Sequence, residues 1–214
     1  MSVWIETLMV LLILSNMLLL GVSSLNSCIR VVASQGILLG VFTFLAQSDD
    51  ITLRIGIFAV VSTVLKALVF PYCLNRAIRE TGVRREIEPF VGYVLSVVGG
   101  LAMLGVSQWI SYRLPIDMGR PLPLVIPSSL MTLFVGLFLI VTRKKALTQA
   151  LGYLVFENGI YTFGIATAGE IPVFVEFGVL LDVFVAVFVM GIVIFQINRE
   201  FDHIDTDRLS SLKG

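Results

Sequence analysis

Residues 149–182 read QALGYLVFENGIYTFGIATAGEIPVFVEFGVLLD. This is two apolar runs joined by a short turn, each with one acid near its middle, Glu157 in the first and Asp182 in the second. A charge at the centre of a bilayer costs roughly 2.5–3.5 kcal/mol on insertion scales, so an acid held in such a run marks a candidate functional site. The first run also carries a polar stripe. Gln149, Tyr153, Glu157 and Tyr161 recur every fourth residue, which places them along one slowly drifting helical face with about 6 Å of rise between neighbours. Hydroxyls, amides and a carboxylate need partners where there is no water, so this face should turn toward other helices or a hydrated path. Asn158 extends the stripe to one side.

The rest of the chain has the composition of a membrane protein. Apolar residues make up 57% of the 214 residues and charged residues 14%, and the mean hydropathy is +0.97. A soluble domain could not carry that proportion on its surface. Net charge is zero, and the basic residues sit in short clusters between apolar runs, a pattern of membrane topology and not of phosphate contacts. No nucleic-acid partner is expected.

Apolar runs long enough to span occur at about 3–22, 31–47, 51–72, 90–111, 122–142, 146–168 and 172–197. Each approaches the roughly 20 residues that a helix needs to cross the hydrocarbon layer. The expected fold is therefore all-α and polytopic: a transmembrane domain over 1–198 with seven helices, and a tail over 199–214. The second run is the shortest, and Pro121, Pro123 and Pro127 interrupt the fifth. The first run has no basic flank or cleavage site and reads as a retained helix.

With the N-terminus outside, eleven lysines and arginines collect on the inner side: Arg30, Arg76, Arg79, Arg84, Arg85, Arg143, Lys144, Lys145, Arg199, Arg208 and Lys213. Only Arg54, Arg113 and Arg120 lie on the outer side. The excess places the C-terminus in the cytoplasm of a cell (inner) membrane protein. Cys28 and Cys73 then lie toward the reducing side as packing thiols. A parallel repeat of three helices is also expected, because Arg30 to Gln35 opens the second run much as Lys144 to Gln149 opens the sixth, and Asn75-Arg76 and Asn198-Arg199 close the following runs.

Depth brings the charges together. Glu157 lies some eleven residues into its helix and Asp182 some ten into the next, which sets both near the bilayer middle. Gly178 and Ala186 flank Asp182 by one turn and permit close packing. Glu176 lies near the outer end, off the Asp182 face. Lys66, in the third run ahead of Pro71, either snorkels to the headgroups or joins the buried acids. A lysine and a carboxylate taken out of water can exchange protons near neutral pH. The candidate proton-relay set is thus Glu157, Asp182, Lys66, Glu176, Tyr153, Tyr161 and Gln149. No nucleophile triad or phosphate loop can be built, and His203 reads as a solvated tail residue.

The run Gly152-Tyr-Leu-Val-Phe-Glu157-Asn-Gly159, the segment Val175-Glu176-Phe-Gly178 with Asp182, Lys66 ahead of Pro71 and the closing Leu212-Lys-Gly214 resemble the hydrogenase-4 component E family across essentially the whole chain. The resemblance implies a non-catalytic membrane subunit of a formate hydrogenlyase-type or related energy-converting [NiFe]-hydrogenase complex. It also implies antiporter-like partner subunits and no cofactor or metal of its own, the redox centres belonging to soluble partners. Part of that family is similar to the small three-helix membrane subunit of complex I, whose buried glutamates carry protons. Glu157 is the best match to such a glutamate, and Asp182 is displaced by about one turn. A stand-alone secondary ion transporter is the alternative, although no pair of Gly/Pro-broken helices at matching positions offers a substrate site.

Overall fold

The computed structural model describes residues 2–46, 53–80, 91–114 and 123–167, together with helical backbone at positions 183, 184, 187, 190 and 191. Its elements are α1 (Ser2–Gly21), α2 (Leu25–Ala46), α3 (Leu53–Val64), a π turn (Leu65–Val69), α4 (Phe70–Glu80), α5 (Tyr93–Arg113), α6 (Val125–Thr142) and α7 (Ala146–Thr167). No strand occurs among the described residues. Four of these helices, α1, α2, α5 and α6, are long and apolar enough to cross a membrane. At 22 residues α7 matches them in length, and its polar stripe lowers its hydropathy.

Local chemistry explains where these helices depart from the expected boundaries. The second begins at Leu25 and not at 31, because the Ser24 carbonyl accepts from the Cys28 amide at 3.1 Å and so starts the helix early. The third does not end after Pro71. A proline ring displaces the carbonyl four residues back and supplies no N–H, and the chain absorbs this as a π turn in which the Phe70 amide donates to the Leu65 carbonyl. The helix then continues to Glu80 with Arg76 and Arg79 exposed. The fifth expected helix starts at Val125, which leaves Pro127 in the first turn, where amides have no intrahelical partner in any case. The run at 172–197 lies outside the described residues apart from those five positions.

The glutamines of the expected repeat do not take equivalent places. Gln35 is the eleventh residue of α2 and buried, whereas Gln149 is the fourth of α7 and exposed. The equivalence that does show is between hairpins. Side-chain bonds join Met9 to Ser128 and Asn16 to Thr132, and likewise Gln35 to Asn158 and Thr43 to Tyr161. Numbers rise together along both pairs, so α1 runs parallel to α6 and α2 parallel to α7.

Helix α7 carries buried residues around most of its circumference and packs chiefly against α6 and α2. Glycine decides how closely α6 can approach it. A methyl group added at Gly136 would run into the Phe156 backbone, one at Gly152 would come within 2.9 Å of the Ile140 nitrogen, and one at Gly159 within 2.5 Å of the Leu133 nitrogen. Three small residues, two turns apart on α7 and one between them on α6, therefore let backbones meet where apolar packing alone cannot drive association. At the periphery α5 exposes Val94, Leu95, Trp109 and Tyr112, a face suited to acyl chains or a partner subunit and not to water.

The close approach sets a test. Gly136→Ala gains helix propensity of at most about 1 kcal/mol but overpacks a backbone contact at a cost of about 1–3 kcal/mol, so its thermal unfolding midpoint in mild detergent should fall. Gly99→Ala on α5, where an added methyl group meets nothing within 4 Å, should leave the midpoint unchanged or raise it.

Candidate functional site: a buried ion pair and its amide chain

Lys66 lies in the π turn, and the extra residue in that turn re-aims its side chain into the bundle. Gly36 of α2 makes room, since a methyl group there would come within 2.6 Å of the Lys66 Cβ. The ammonium reaches α7, where Nζ stands 2.9 Å from the Glu157 Oε1, with the side chains 5% and 1% exposed. Lys66 therefore does not snorkel. The approach lies off the direction of a hydrogen bond, and both Glu157 oxygens lack a hydrogen bond among the described residues. Coulomb attraction at low dielectric is the contact. Taking two charges out of water costs several kcal/mol per ion even after relaxation, and their attraction offsets this cost without a large net gain in stability.

The ammonium is further surrounded. Nζ donates to the Asn158 Oδ1 at 3.1 Å and lies 5.2 Å from the centre of the Tyr161 ring, a cation–π distance. The Tyr161 hydroxyl is 2.8 Å from the Thr43 Oγ1. Asn158 Nδ2 donates to the Gln35 Oε1 at 3.4 Å. Gln35 Nε2 donates to the Ser15 Oγ at 2.9 Å and to the Asn16 Oδ1 at 3.0 Å. Asn16 Nδ2 donates to the Thr132 Oγ1 at 2.7 Å. One polar chain thus runs from the π turn through α7, α2 and α1 to α6, with each amide in it buried.

The expected stripe on α7 divides. Glu157 and Tyr161 turn inward, Tyr153 is half-buried, and Gln149 is exposed, because a four-residue spacing advances about 40° per step and the face has rotated by its ends. Gln149 instead donates to the Arg143 carbonyl at 2.9 Å and ties the α6–α7 turn. Tyr153 packs against the larger apolar core. Asp182 and Glu176 lie outside the described residues.

Sequence reasoning passed over Asn16, Thr132, Thr43 and the central place of Gln35. The signal was present, since an amide inside ILSNMLLL or SQGILLG needs a partner in an apolar medium as an acid does. It also read Arg143 as a topology marker only. The residue is fully buried, with its guanidinium 5.9 Å from the Tyr93 ring.

Fold and site together define a helical protein with membrane-length spans enclosing a buried lysine–glutamate pair. Comparison with known proteins places it more narrowly. The chain is 30% identical over 210 residues to the uncharacterized protein Rv0085 of Mycobacterium tuberculosis, an alignment covering 94% of this chain and 92% of that protein, and it belongs to the same family. It is also 24% identical over 151 residues to hydrogenase-4 component E of Escherichia coli K12 and of Shigella flexneri, covering 71% of this chain and 70% of those proteins. No family model matches the chain, and no solved structure matches it.

The pair predicts an asymmetry between single and double substitutions. Lys66→Met leaves Glu157 buried and uncompensated and should cost about 3–5 kcal/mol, whereas Lys66→Met with Glu157→Leu should recover most of that loss. Chemical unfolding of the purified chain in detergent micelles reads both. Equal losses would show that the charges do not compensate one another.

Proposed function

We propose that the chain is a membrane subunit of a hydrogenase-type complex, without a redox centre of its own, in which the Lys66–Glu157 pair takes part in proton or sodium translocation. The observation that carries this reading is the pair itself, 2.9 Å apart and buried at the junction of the π turn and α7. The similarity to hydrogenase-4 component E supports the kind of complex. Chemically, a carboxylate beside an ammonium is neutralised when a proton reaches it, which leaves the cation without its counter-charge, and the pair responds as one unit. Asp182, Glu176 and Tyr161 belong to the same proposed path, and antiporter-like subunits are its proposed neighbours.

The proposed topology has seven spans, N-terminus outside and C-terminus in the cytoplasm. The parallel sense of α1 with α6 and of α2 with α7 supports it, since alternating crossings give those helices the same direction. The run at 172–197 supplies the seventh span, and the fully exposed face of α5 offers a surface to partners.

Glu157→Gln tests the function. It retains size and most hydrogen bonding while removing the ionisable group, so the complex should assemble and co-purify in mild detergent but lose most ion translocation coupled to hydrogen evolution. Normal coupled translocation by the assembled variant would overturn the role of Glu157, and purification of the wild-type chain without partners would favour a stand-alone transporter.

The topology has its own check. Single cysteines placed in 81–88, in a chain with Cys28 and Cys73 replaced by serine, should stay unlabelled by an impermeant maleimide in intact cells and become labelled after lysis. Labelling in intact cells would invert the orientation.

A further inference from the structure

The hydrogen bonds that leave Lys66 have a single polarity, and both ends of the chain enforce it. At one end an ammonium can only donate, so the Asn158 oxygen must face it. At the other end the Thr132 hydroxyl spends its proton on the Ser128 carbonyl, 2.7 Å away, so it can only accept from the Asn16 Nδ2. Ser15 is committed in the same way, since it donates to the Leu12 carbonyl at 2.7 Å and accepts from the Gln35 Nε2. Each amide between these ends therefore has its oxygen toward Lys66 and its nitrogen away from it. No flip of Asn16, Gln35 or Asn158 satisfies both neighbours.

Two consequences follow from elementary chemistry. Hydrogen bonds aligned head to tail polarise one another, and an amide oxygen on an ammonium, backed by two further amides aligned in the same sense, favours the charged form of that group. Primary amides also make poor proton relays, because passing a proton through one leaves it as an imidic acid; a hydroxyl or water passes one without such a change. We infer that Asn158, Gln35, Asn16 and Thr132 are positioning residues that hold Lys66 as a standing cation beside Glu157, so that Glu157 is the member of the pair that takes up and releases the proton. The lateral chain through α2 and α1 is then a clamp and not a conduit. The inference rests on the translocation reading given above and assigns the roles within it.

The surroundings fit this division. Of the described helices packed on the pair, α6 carries no titratable group, and α2 carries Cys28 and Arg30 about two turns before Gly36. Arg54 of α3 and Tyr72 and Cys73 of α4 lie two or three turns from Lys66 along the helix axis. α7 adds Tyr153 and Tyr161, of which Tyr161 already meets Thr43. Glu157 keeps both oxygens without a hydrogen bond among the described residues, and so it has acceptor capacity that Lys66 does not block.

The test reads the two groups directly. The chain contains four lysines, Lys66, Lys144, Lys145 and Lys213, so nitrogen-15 lysine labelling of the full chain in liposomes gives few side-chain signals, and the one missing in Lys66→Arg is that of Lys66. Across the pH range in which the complex translocates ions, the Lys66 nitrogen should keep an ammonium shift while the carbon-13 carboxyl signal of Glu157, absent in Glu157→Gln, changes with pH. Thr132→Val, which touches neither charged group, should displace the Lys66 signal and lower coupled translocation about three- to fivefold, the equivalent of one net hydrogen bond, and Thr132→Ser should restore both. A Lys66 nitrogen that turns into a neutral amine in that range beside a constant Glu157 carboxyl would overturn the assignment, and so would a Thr132→Val variant with an unmoved Lys66 signal. These signals do not depend on turnover. Normal translocation by Glu157→Gln would therefore refute the functional reading while leaving the polarity of the chain standing.

Discussion

A lysine and a glutamate buried together in an apolar bundle constrain everything around them. The pair is costly to leave half made, because either charge alone in that medium costs about 3–5 kcal/mol. Its existence therefore requires that the π turn, α2 and α7 hold their relative positions to within a side chain's reach. Gly36 gives Lys66 its entry past α2, and Pro71 forces the widened turn that aims it. The same proline that would be a defect in an ordinary helix here sets the register of a charged group, which accords with the frequent occurrence of π turns at functional sites.

The burial of α7 on most of its sides follows from the same constraint. A helix carrying Glu157, Asn158 and Tyr161 cannot turn any of them to lipid, so neighbours must cover it on several sides. The glycines on α6 and α7 bring one neighbour to backbone contact, and the polar chain draws α2 on the other side. Polar residues act here as glue between helices. Those at Asn16 and Thr132, far from any charge, keep the parallel hairpins in register while closing the chain that begins at Lys66.

The relationship to known proteins fits this picture without deciding it. A family relation that spans nearly the whole length joins the chain to a protein of undefined activity, and a more distant one joins it to a hydrogenase-4 component. The geometry contributes what neither relation states, namely which two charges meet and how their surroundings are oriented.

The sequence by itself determined the class of the protein and the address of its charges. Apolar runs of spanning length, basic clusters between them and single acids inside them follow from the cost of exposing charge to hydrocarbon, and that cost is local enough to read from composition. Glu157 and Lys66 could be singled out on this ground, and so could most helix limits. The sequence left Lys66 two places, the headgroups or the buried acids, because it lies 91 positions from Glu157 and only packing brings the two together. A proline-driven π turn, which periodicity cannot show, carried Lys66 to the site. The direction of the amide chain is more remote still. It depends on which end of each Asn and Gln meets a neighbour on another helix, and so it is set only when four helices and the π turn have assembled.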